Sequence, residues 1–215
     1  MTGKFAAAIG NFDGVHRGHR FLLDQTAAFA RSIGAAPAAV VFDPHPRRYF
    51  RPNDPPFLIT TAPARDQLLR AAGAAEVYSL TFDKALSMLS PEDFVRDVLK
   101  RKLGLAGVVT GKDFRFGAGR AGDADGLAEL CRKVGVHARI VQPLSDQQHT
   151  DKIGSTAIRE ALLSGAVDRA AAMLGRPWRV TGAVERGRQI GRTLGFATAN
   201  LTLGDLIEPR RAVYA

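Results

Sequence analysis

The sequence Gly-Asn-Phe-Asp-Gly-Val-His-Arg-Gly-His at residues 10–19 is the most informative part of this chain. It follows an apolar run over 5–9 that predicts a short buried strand, and it leads into an alanine-rich stretch that predicts a helix. A strand that turns through glycines into a helix lets backbone N–H groups approach an anion closely. His16 and His19 lie at or just inside the helix start, where both can donate hydrogen bonds to a phosphoryl group under attack. The stretch therefore indicates an enzyme that splits a nucleoside triphosphate at its α-phosphate.

Structural interpretations of the same residues stay open. Glycine turns between a strand and a helix occur in many α/β proteins, and two histidines can also cap a helix or bind a stray metal. Two common nucleotide motifs are excluded, because no Gly-Lys-Ser/Thr follows and the glycines do not form Gly-x-Gly-x-x-Gly.

The composition is that of a globular protein with a basic surplus. Of 215 residues, 46% are hydrophobic and 24% are charged, which suffices for one core and a second small one. No apolar stretch is long enough to span a membrane, the N-terminus lacks a signal-peptide pattern, and the single Cys131 excludes an internal disulfide framework. We therefore expect a cytoplasmic protein without a membrane partner.

The net charge of +9 comes from 30 Lys and Arg against 21 Asp and Glu. These basic residues are dispersed, and no aromatic residues interleave with them in a pattern that binds RNA. We expect the surplus to serve small phosphorylated ligands rather than nucleic acid. No pattern predicts an oligomeric state.

Apolar runs alternate with helical patterns up to about residue 165. The predicted strands are 5–9, 38–42, 76–80, 107–110 and 137–141, and the predicted helices are 19–33, 63–72, 91–102 and 123–134. This alternation predicts an α/β fold with a mainly parallel sheet and ligands beyond the carboxyl ends of its strands. After Gly175 the helical period is lost, and 178–185 alternates as a strand does. We place a domain over 1–172 and the start of a β-rich module over 176–215.

Three segments near strand ends or loops can carry chemistry. In 42–47 two prolines fix the backbone around His45, which presents the imidazole and Phe42 at the sheet edge, unless the segment is only a rigid turn. In 111–117 Asp113 can accept a hydrogen bond from a ribose or flavin hydroxyl, with one of two phenylalanines packed inward and the other against a ring. In 153–160 Ser155 or Thr156 caps a helix and Arg159 follows one turn later, which makes either a phosphate clamp or an ordinary capped helix.

These segments, in this order, resemble motifs of the bacterial FAD synthetases, which are bifunctional riboflavin kinase/FMN adenylyltransferases. Residues 10–19 are similar to the nucleotidyltransferase signature, 42–47 contain the Asp-Pro-His-Pro stretch, and 111–117 match Gly-x-Asp-Phe-x-Phe-Gly. Residues 153–159 are similar to Ile-Ser-Ser-Thr-x-x-Arg, with Gly154 in place of the first serine. The resemblance implies a Rossmann-like nucleotidyltransferase domain that transfers the adenylyl group of Mg-ATP to FMN and yields FAD and pyrophosphate.

The resemblance also implies roles for single residues. Catalytic residues would be His16, His19 and Arg159. ATP-binding residues would be Gly10, Asn11, Phe12, Asp13, Gly18, Ser155 and Thr156. Flavin-binding residues would be Phe42, Pro44, His45, Pro46, Asp113 and Phe116.

Residues 191–200 resemble the riboflavin kinase signature, whose Pro-Thr-Ala-Asn supplies ligands for Mg²⁺ and ATP phosphates. This implies such roles for Thr198 and Asn200, with Ala197 in place of the proline. The chain stops at Ala215, where the family's six-stranded barrel is only partly built and its general-base carboxylate is still to come. A partial barrel leaves strand edges unpaired, so we expect the kinase reaction, riboflavin to FMN, to be missing.

Two other functions stay open on the sequence. One is a sister nucleotidyltransferase that uses the same loop on another phosphorylated acceptor, such as phosphopantetheine or a cytidylyl acceptor. The other is a flavin- or nucleotide-binding module without catalysis.

Overall fold

A parallel sheet forms the centre of the computed structural model, which describes residues 4–142, 153–182, 184–185 and 200–212. Its strands are β1 Phe5–Ile9, β2 Ala36–Asp43, β3 Glu76–Thr81, β4 Gly107–Gly111 and β7 His137–Val141. They lie in the order β3-β2-β1-β4-β7, and every neighbouring pair is parallel. Two antiparallel pairs complete the strands: β5 Arg115–Phe116 with β6 Gly122–Asp123, and β8 Val184–Glu185 with β9 Asn200–Leu201.

Helices connect the strands. They are α1 Arg17–Ser32, α2 Pro46–Phe50, α3 Ala62–Ala71, α4 Lys84–Ser87, α5 Pro91–Asp93, α6 Ala124–Lys133, α7 Ser155–Ser164 and α8 Val167–Leu174. A π-helix over Phe94–Lys102 continues α5, and a 3-10 turn spans Ala118–Arg120. No helix in the described part of the chain is both long and apolar enough to cross a membrane.

The sheet is covered on both faces, because successive strand residues point to opposite sides. Ala7 packs into a core cluster with Leu99 of the π-helix, whereas its neighbour Ala8 packs into a separate cluster with Leu23 of α1. The three central strands β1, β2 and β4 are therefore apolar and buried along most of their length, which is typical of parallel sheets, whereas the edge strands β3 and β7 also carry polar residues such as Glu76 and Arg139.

The predicted five-strand parallel arrangement is confirmed, with three strands extended by one to three residues. The helix predicted over 91–102 also starts as expected, since the Ser90 hydroxyl accepts a hydrogen bond from the Asp93 N–H at 3.1 Å. The strand predicted over 178–185 is wrong for most of its length, because among its described residues only Val184–Glu185 pairs. Trp178 packs instead against the cluster of α7 and α8, and its indole Nε1 donates to the Ile59 carbonyl at 2.9 Å.

Residues 206 and 207, near the end of the chain, pack against earlier parts of the fold. Leu206 and Ile207 are buried, and Ile207 packs with Ile158 of α7. Leu206 also forms a parallel bridge with Leu58, in the connection between α2 and α3. Residues 57–60 are thereby held between the turn after β1 and this late stretch of the chain.

Candidate active site

The turn between β1 and α1 has an unusual backbone. Phe12 and Val15 adopt φ values of 53° and 40°, and Gly14 between them adopts 86°. Positive φ is sterically unfavourable for residues with a Cβ, and such strain concentrates at functional sites. Gly14 has a second constraint, since a Cβ there would lie 3.1 Å from the Ile59 side chain.

Two imidazoles stack at the start of α1. The rings of His16 and His19 lie 3.6 Å apart at 18°, and Phe12 packs against the second ring at 5.0 Å. His16 is the N-cap of the helix, and its Nδ1 accepts the His19 N–H at 3.3 Å. This bond assigns the proton of neutral His16 to Nε2, which is then free to donate. Capping and phosphate binding are therefore compatible uses of the same ring.

The surroundings keep both imidazoles neutral. Burial, followed by the charges of Arg176 and Arg159, lowers the pKa of His16 to about 4. The pKa of His19 is lowered well below its ordinary value by burial and by His16. Near neutral pH the pair therefore acts as hydrogen-bond donors and not as a source of positive charge.

The low pKa of His16 predicts acid sensitivity of folding. An unfolded chain protonates this histidine near pH 6.5, whereas the folded chain does so only near pH 4. The contribution of His16 to the free energy of unfolding is therefore fully present above pH 6.5. It decreases as the pH falls, by about 3 kcal/mol at pH 4. We expect urea unfolding of His16→Gln to depend less steeply on pH than that of the parent chain. The control is the same substitution at an exposed histidine, His137→Gln; an equal pH dependence of His16→Gln and the parent chain would contradict the assignment.

A cleft of about 270 Å³ opens at the carboxyl edge of the sheet. Its walls include the last residues of three strands, Ile9, Gly111 and Val141, as expected for ligand sites in parallel sheets. The predicted residues that line it are Gly10, Phe12, His16, Gly18, His19 and Asp113. Lys112, Phe114 and Ile153 line it as well.

The glycine-flanked loop after β4 divides its two phenylalanines as expected. Phe116 is buried and its ring packs against Phe94 at 5.7 Å. Phe114 stacks on Phe116 and is the ring at the cleft wall, beside Asp113. The ring that lines the cleft is Phe114, whereas Phe116, to which the family resemblance pointed, is buried.

The start of α7 lies against the turn after β1. Its N-cap is Gly154, which offers no side chain, so the predicted cap by Ser155 or Thr156 is wrong. The Ser155 hydroxyl donates instead to the Asp13 carbonyl at 2.9 Å, and Thr156 is exposed. A helix start without a side-chain cap keeps its first N–H groups available to an anion.

Arg159 and Asp13 form a mostly buried ion pair. Nη2 of the arginine donates to Oδ2 of the aspartate at 2.6 Å, and its Nε donates to the Phe57 carbonyl at 2.8 Å. Oδ1 of Asp13 accepts from the N–H groups of Ile59 and Thr60 at 2.9 and 3.1 Å. Burial raises the pKa of Asp13, and the guanidinium opposes that shift. Both groups are thus committed to bracing the loop, and Nη1 of Arg159 has no bond in the described residues.

The Asp-Pro-His-Pro segment closes β2 and starts α2. His45 Nδ1 accepts the Arg47 N–H at 3.0 Å, and its ring packs edge-on to Phe57 at 5.2 Å. Burial, followed by the charges of Arg159, Arg47 and Arg65, lowers the pKa of this histidine to about 4. Phe42 is buried in the core, so its expected presentation at the sheet edge is wrong. Pro46 lies in the first turn of α2, and Pro44 is exposed.

A second, smaller cavity of about 20 Å³ lies beside this segment. Its lining includes Asn11, Asp13, His45, Thr60 and Arg65. Nη2 of Arg65 is buried and has no hydrogen-bond partner in the part of the chain that is described.

Some residues of the site were not predicted from the sequence. Arg176 donates to the carbonyls of Gly14 and Val15 at 2.6 and 3.2 Å, and thereby fixes the strained turn. Its only sequence signal is its place after Gly175, which does not indicate a partner 162 residues away. Lys112 could have been predicted from the sequence, because it lies inside the 111–117 segment that was already identified.

The residues expected to serve the kinase lie near the end of the chain. Thr198 is outside the described residues, whereas Asn200 opens β9 and is exposed. Within the described ranges, no group of three His, Cys, Asp or Glu side chains could hold a metal ion.

Comparisons with known proteins match this chain in two parts. The FAD synthetase family model matches residues 2–157, and the riboflavin kinase family model matches 174–215. The chain is 35% identical over 207 residues to the bifunctional riboflavin kinase/FMN adenylyltransferase of Escherichia coli (strain K12), covering 96% of this chain and 66% of that protein. It is 37% identical over 216 residues to the protein of the same description from Pseudomonas fluorescens, covering 97% and 66%. The chain thus spans just under two thirds of these relatives.

Solved structures give a consistent fold. A crystal structure described as a macrolide-efflux protein from Streptococcus pneumoniae superposes with a TM-score of 0.84 at 30% identity, covering 98% of this chain and 68% of that one. Thermotoga maritima TmcAL bound with alpha-thio ATP superposes at 0.51 with 10% identity, covering 78% and 52%, which supports the fold alone.

Proposed function

Because the chain belongs to the FAD synthetase family, we propose that it transfers the adenylyl group of Mg-ATP to the phosphate of FMN, giving FAD and pyrophosphate. An oxygen of the FMN phosphate attacks the α-phosphorus while the bond from that phosphorus to the bridging oxygen breaks. The protein then needs no covalent nucleophile, and positioning with charge stabilisation supplies the acceleration. The observation that carries the proposal is the neutral, stacked pair of His16 and His19 in the cleft at the strand ends.

The two imidazoles are assigned to the reacting phosphorus. His16 has its Nε2 proton free because Nδ1 is bonded to the helix backbone, and His19 lines the same cleft. Neutral donors that are already fixed stabilise the charge that develops on the α-phosphate oxygens. Gly10 and Gly18 also line the cleft, and neither has a side chain that would occupy it. A Cβ at Gly18 would lie 3.2 Å from the His16 ring.

The departing pyrophosphate is assigned to the start of α7. Ser155, Thr156 and the first N–H groups of the helix lie there, next to the turn after β1. Arg159 offers Nη1, while Asp13 and the Phe57 carbonyl hold the rest of its guanidinium in place. Such a braced guanidinium loses little freedom when it binds a phosphate.

The acceptor side is assigned to the loop after β4, which lines the cleft, and to the residues around the smaller cavity. Asp113 and Phe114 offer a carboxylate and a ring at the cleft wall, and His45 with Asn11 lines the smaller cavity. We assign these groups to orienting the flavin or the nucleotide. The substrates ATP and FMN require no other partner.

Magnesium fits this assignment as an ion that is bound together with the triphosphate of ATP. Mg²⁺ keeps several waters and is usually held through substrate phosphates with few protein oxygens, so no dedicated cage of carboxylates is needed. Ser155 and Thr156 offer hydroxyl oxygens near the assigned phosphate end. When bound, the ion would neutralise phosphate charge.

The test is the release of pyrophosphate from ATP with and without FMN, together with detection of FAD. We expect FMN-dependent release with one FAD formed per pyrophosphate. Release only with CTP or with another phosphorylated acceptor would favour a sister nucleotidyltransferase. Binding of FMN without any release would mean a binding module and would contradict the proposal.

For the kinase reaction, we keep the expectation that this 215-residue polypeptide does not convert riboflavin to FMN. The residues matched to riboflavin kinase contribute only the two-residue strands β8 and β9 in the described part, and both are exposed. The measurement is FMN formation from riboflavin and ATP, resolved by chromatography. A time-dependent FMN peak from the purified polypeptide would contradict this prediction.

A further inference from the structure

Residues 57–60, which we name the bridging segment, hydrogen-bond on one side to residues 205–207. The N–H groups of Phe57 and Leu58 both donate to the Asp205 carbonyl, at 3.1 and 3.0 Å. The Leu58 carbonyl in turn accepts the Ile207 N–H at 2.8 Å. These are the bonds of a short parallel bridge between two distant parts of the chain.

The other side of the bridging segment holds the proposed pyrophosphate end of the site. The Phe57 carbonyl accepts from Arg159, and the N–H groups of Ile59 and Thr60 donate to Asp13. Four consecutive residues therefore connect residues 205–207 directly to the Asp13–Arg159 pair.

Side chains also connect residues 205–207 to the bridging segment and to Arg159. Ile207 is 2% exposed and packs in one cluster with Ile59 and with Ile158, the residue before Arg159 in α7. The Phe57 ring has the guanidinium of Arg159 at 5.3 Å and that of Arg48 at 5.2 Å from its centre. Arg48 forms an ion pair with Asp205 at 2.9 Å. Because that aspartate is largely exposed, the backbone bonds and Ile207 carry more of the energy than this ion pair.

We propose that Asp205 and Ile207 are positioning residues for Arg159, so that the part of the chain matched to riboflavin kinase completes the adenylyl-transfer site. The inference rests on the function proposed above. The matched FAD synthetase region ends at residue 157, yet one of the two sets of bonds that fix residues 57–60 comes from residues 205–207. Loosening them frees the bridging segment, and the guanidinium then loses the carbonyl that orients it.

The test measures binding of inorganic pyrophosphate with Mg²⁺ by calorimetry on the full chain. Ile207→Pro removes the N–H that Leu58 accepts, and we expect it to weaken pyrophosphate binding about tenfold, the size of one misplaced charge-assisted hydrogen bond. Ile207→Ala keeps that N–H and loses only packing, so a smaller weakening is expected. Leu99→Ala is the matched control, because it truncates a fully buried side chain in the core cluster of Ala7, which contains no residue of the bridging segment or of 205–207. It should lower the unfolding temperature and leave pyrophosphate affinity unchanged.

A double-mutant cycle separates positioning from general destabilisation. If Ile207 acts through Arg159, then Ile207→Pro adds little to the loss already caused by Arg159→Lys. Multiplicative losses in the double variant, or equal weakening by Leu99→Ala, would overturn the inference. So would a parent chain that does not bind pyrophosphate. If Ile207→Pro does not fold, the same cycle is run with Ile207→Ala.

Failure of the proposed function is recognised separately, by the absence of FAD when the parent chain is given ATP and FMN. Hydrogen exchange offers a readout that needs neither substrate. Ile207→Ala should speed exchange at the amides of Ile59 and Thr60 more than Leu99→Ala does. Equal exchange in both variants would overturn the structural connection itself.

Discussion

Replacing His19 by alanine is expected to slow adenylyl transfer to FMN on the order of 10²–10³-fold, the cost of one lost oxyanion donor. The ring lies in the cleft, stacked on His16 at 3.6 Å and supported by Phe12. Because its pKa is well below the ordinary value, the lost interaction is that of a neutral donor, and the rate loss should be similar at pH 7 and pH 8. Steady-state FAD formation at saturating ATP and FMN measures the effect.

Two further variants make this expectation specific. His19→Gln restores an N–H donor on a side chain of similar reach and should recover part of the rate. His137→Ala is the control, since this exposed histidine starts β7 at the opposite end of the sheet from the cleft. An unchanged rate in His19→Ala, with thermal unfolding as in the parent chain, would remove His19 from the mechanism.

The sheet and the histidine turn could be predicted because their signals are local. Apolar runs such as Phe5–Ile9 are buried on both faces, and the polar, glycine-rich residues that follow must lie where the strand ends. The lowered pKa values of the two imidazoles could not be predicted, because they depend on burial and, for His16, on Arg176 and Arg159, which are distant in the sequence. Charge environment is a property of the packed structure, not of the motif.

Several site residues do something different from what their motif suggested. Asp13 was expected to face the nucleotide, yet it braces Arg159, which lies 146 residues further along the chain. Ser155 or Thr156 was expected to cap α7, yet Gly154 is the N-cap and the Ser155 hydroxyl donates to the Asp13 carbonyl. A sequence pattern identifies which residues carry polar groups at a turn, but only tertiary contacts decide which of these groups face a ligand. The short helix α2 escaped prediction for a related reason, since five residues are too few to show a helical period.

Replacing Asp13 by asparagine is expected to destabilise the fold and to stop most of the catalysis. Asp13 is 3% exposed and neutralises a guanidinium that is itself mostly buried, at 2.6 Å. Removing one partner of a buried pair leaves the other charge uncompensated, at a cost of about 3–5 kcal/mol. For a chain of this length the unfolding temperature should fall by roughly 10 °C. Differential scanning calorimetry and FAD formation measure the two effects.

A double replacement separates the role of the charge from that of the site. Arg159→Met in the Asp13→Asn background removes the unpaired cation, so much of the lost stability should return while catalysis stays low. Glu76→Gln breaks the exposed ion pair of Glu76 with Arg70 and should lower the free energy of unfolding by less than about 1 kcal/mol. This variant gives the effect of an exposed pair, with which the effect of the buried pair is compared. Wild-type unfolding temperature in Asp13→Asn would contradict the buried pair as a source of stability. Full activity in the double variant would show that catalysis does not need Arg159. The residue would then contribute to stability alone.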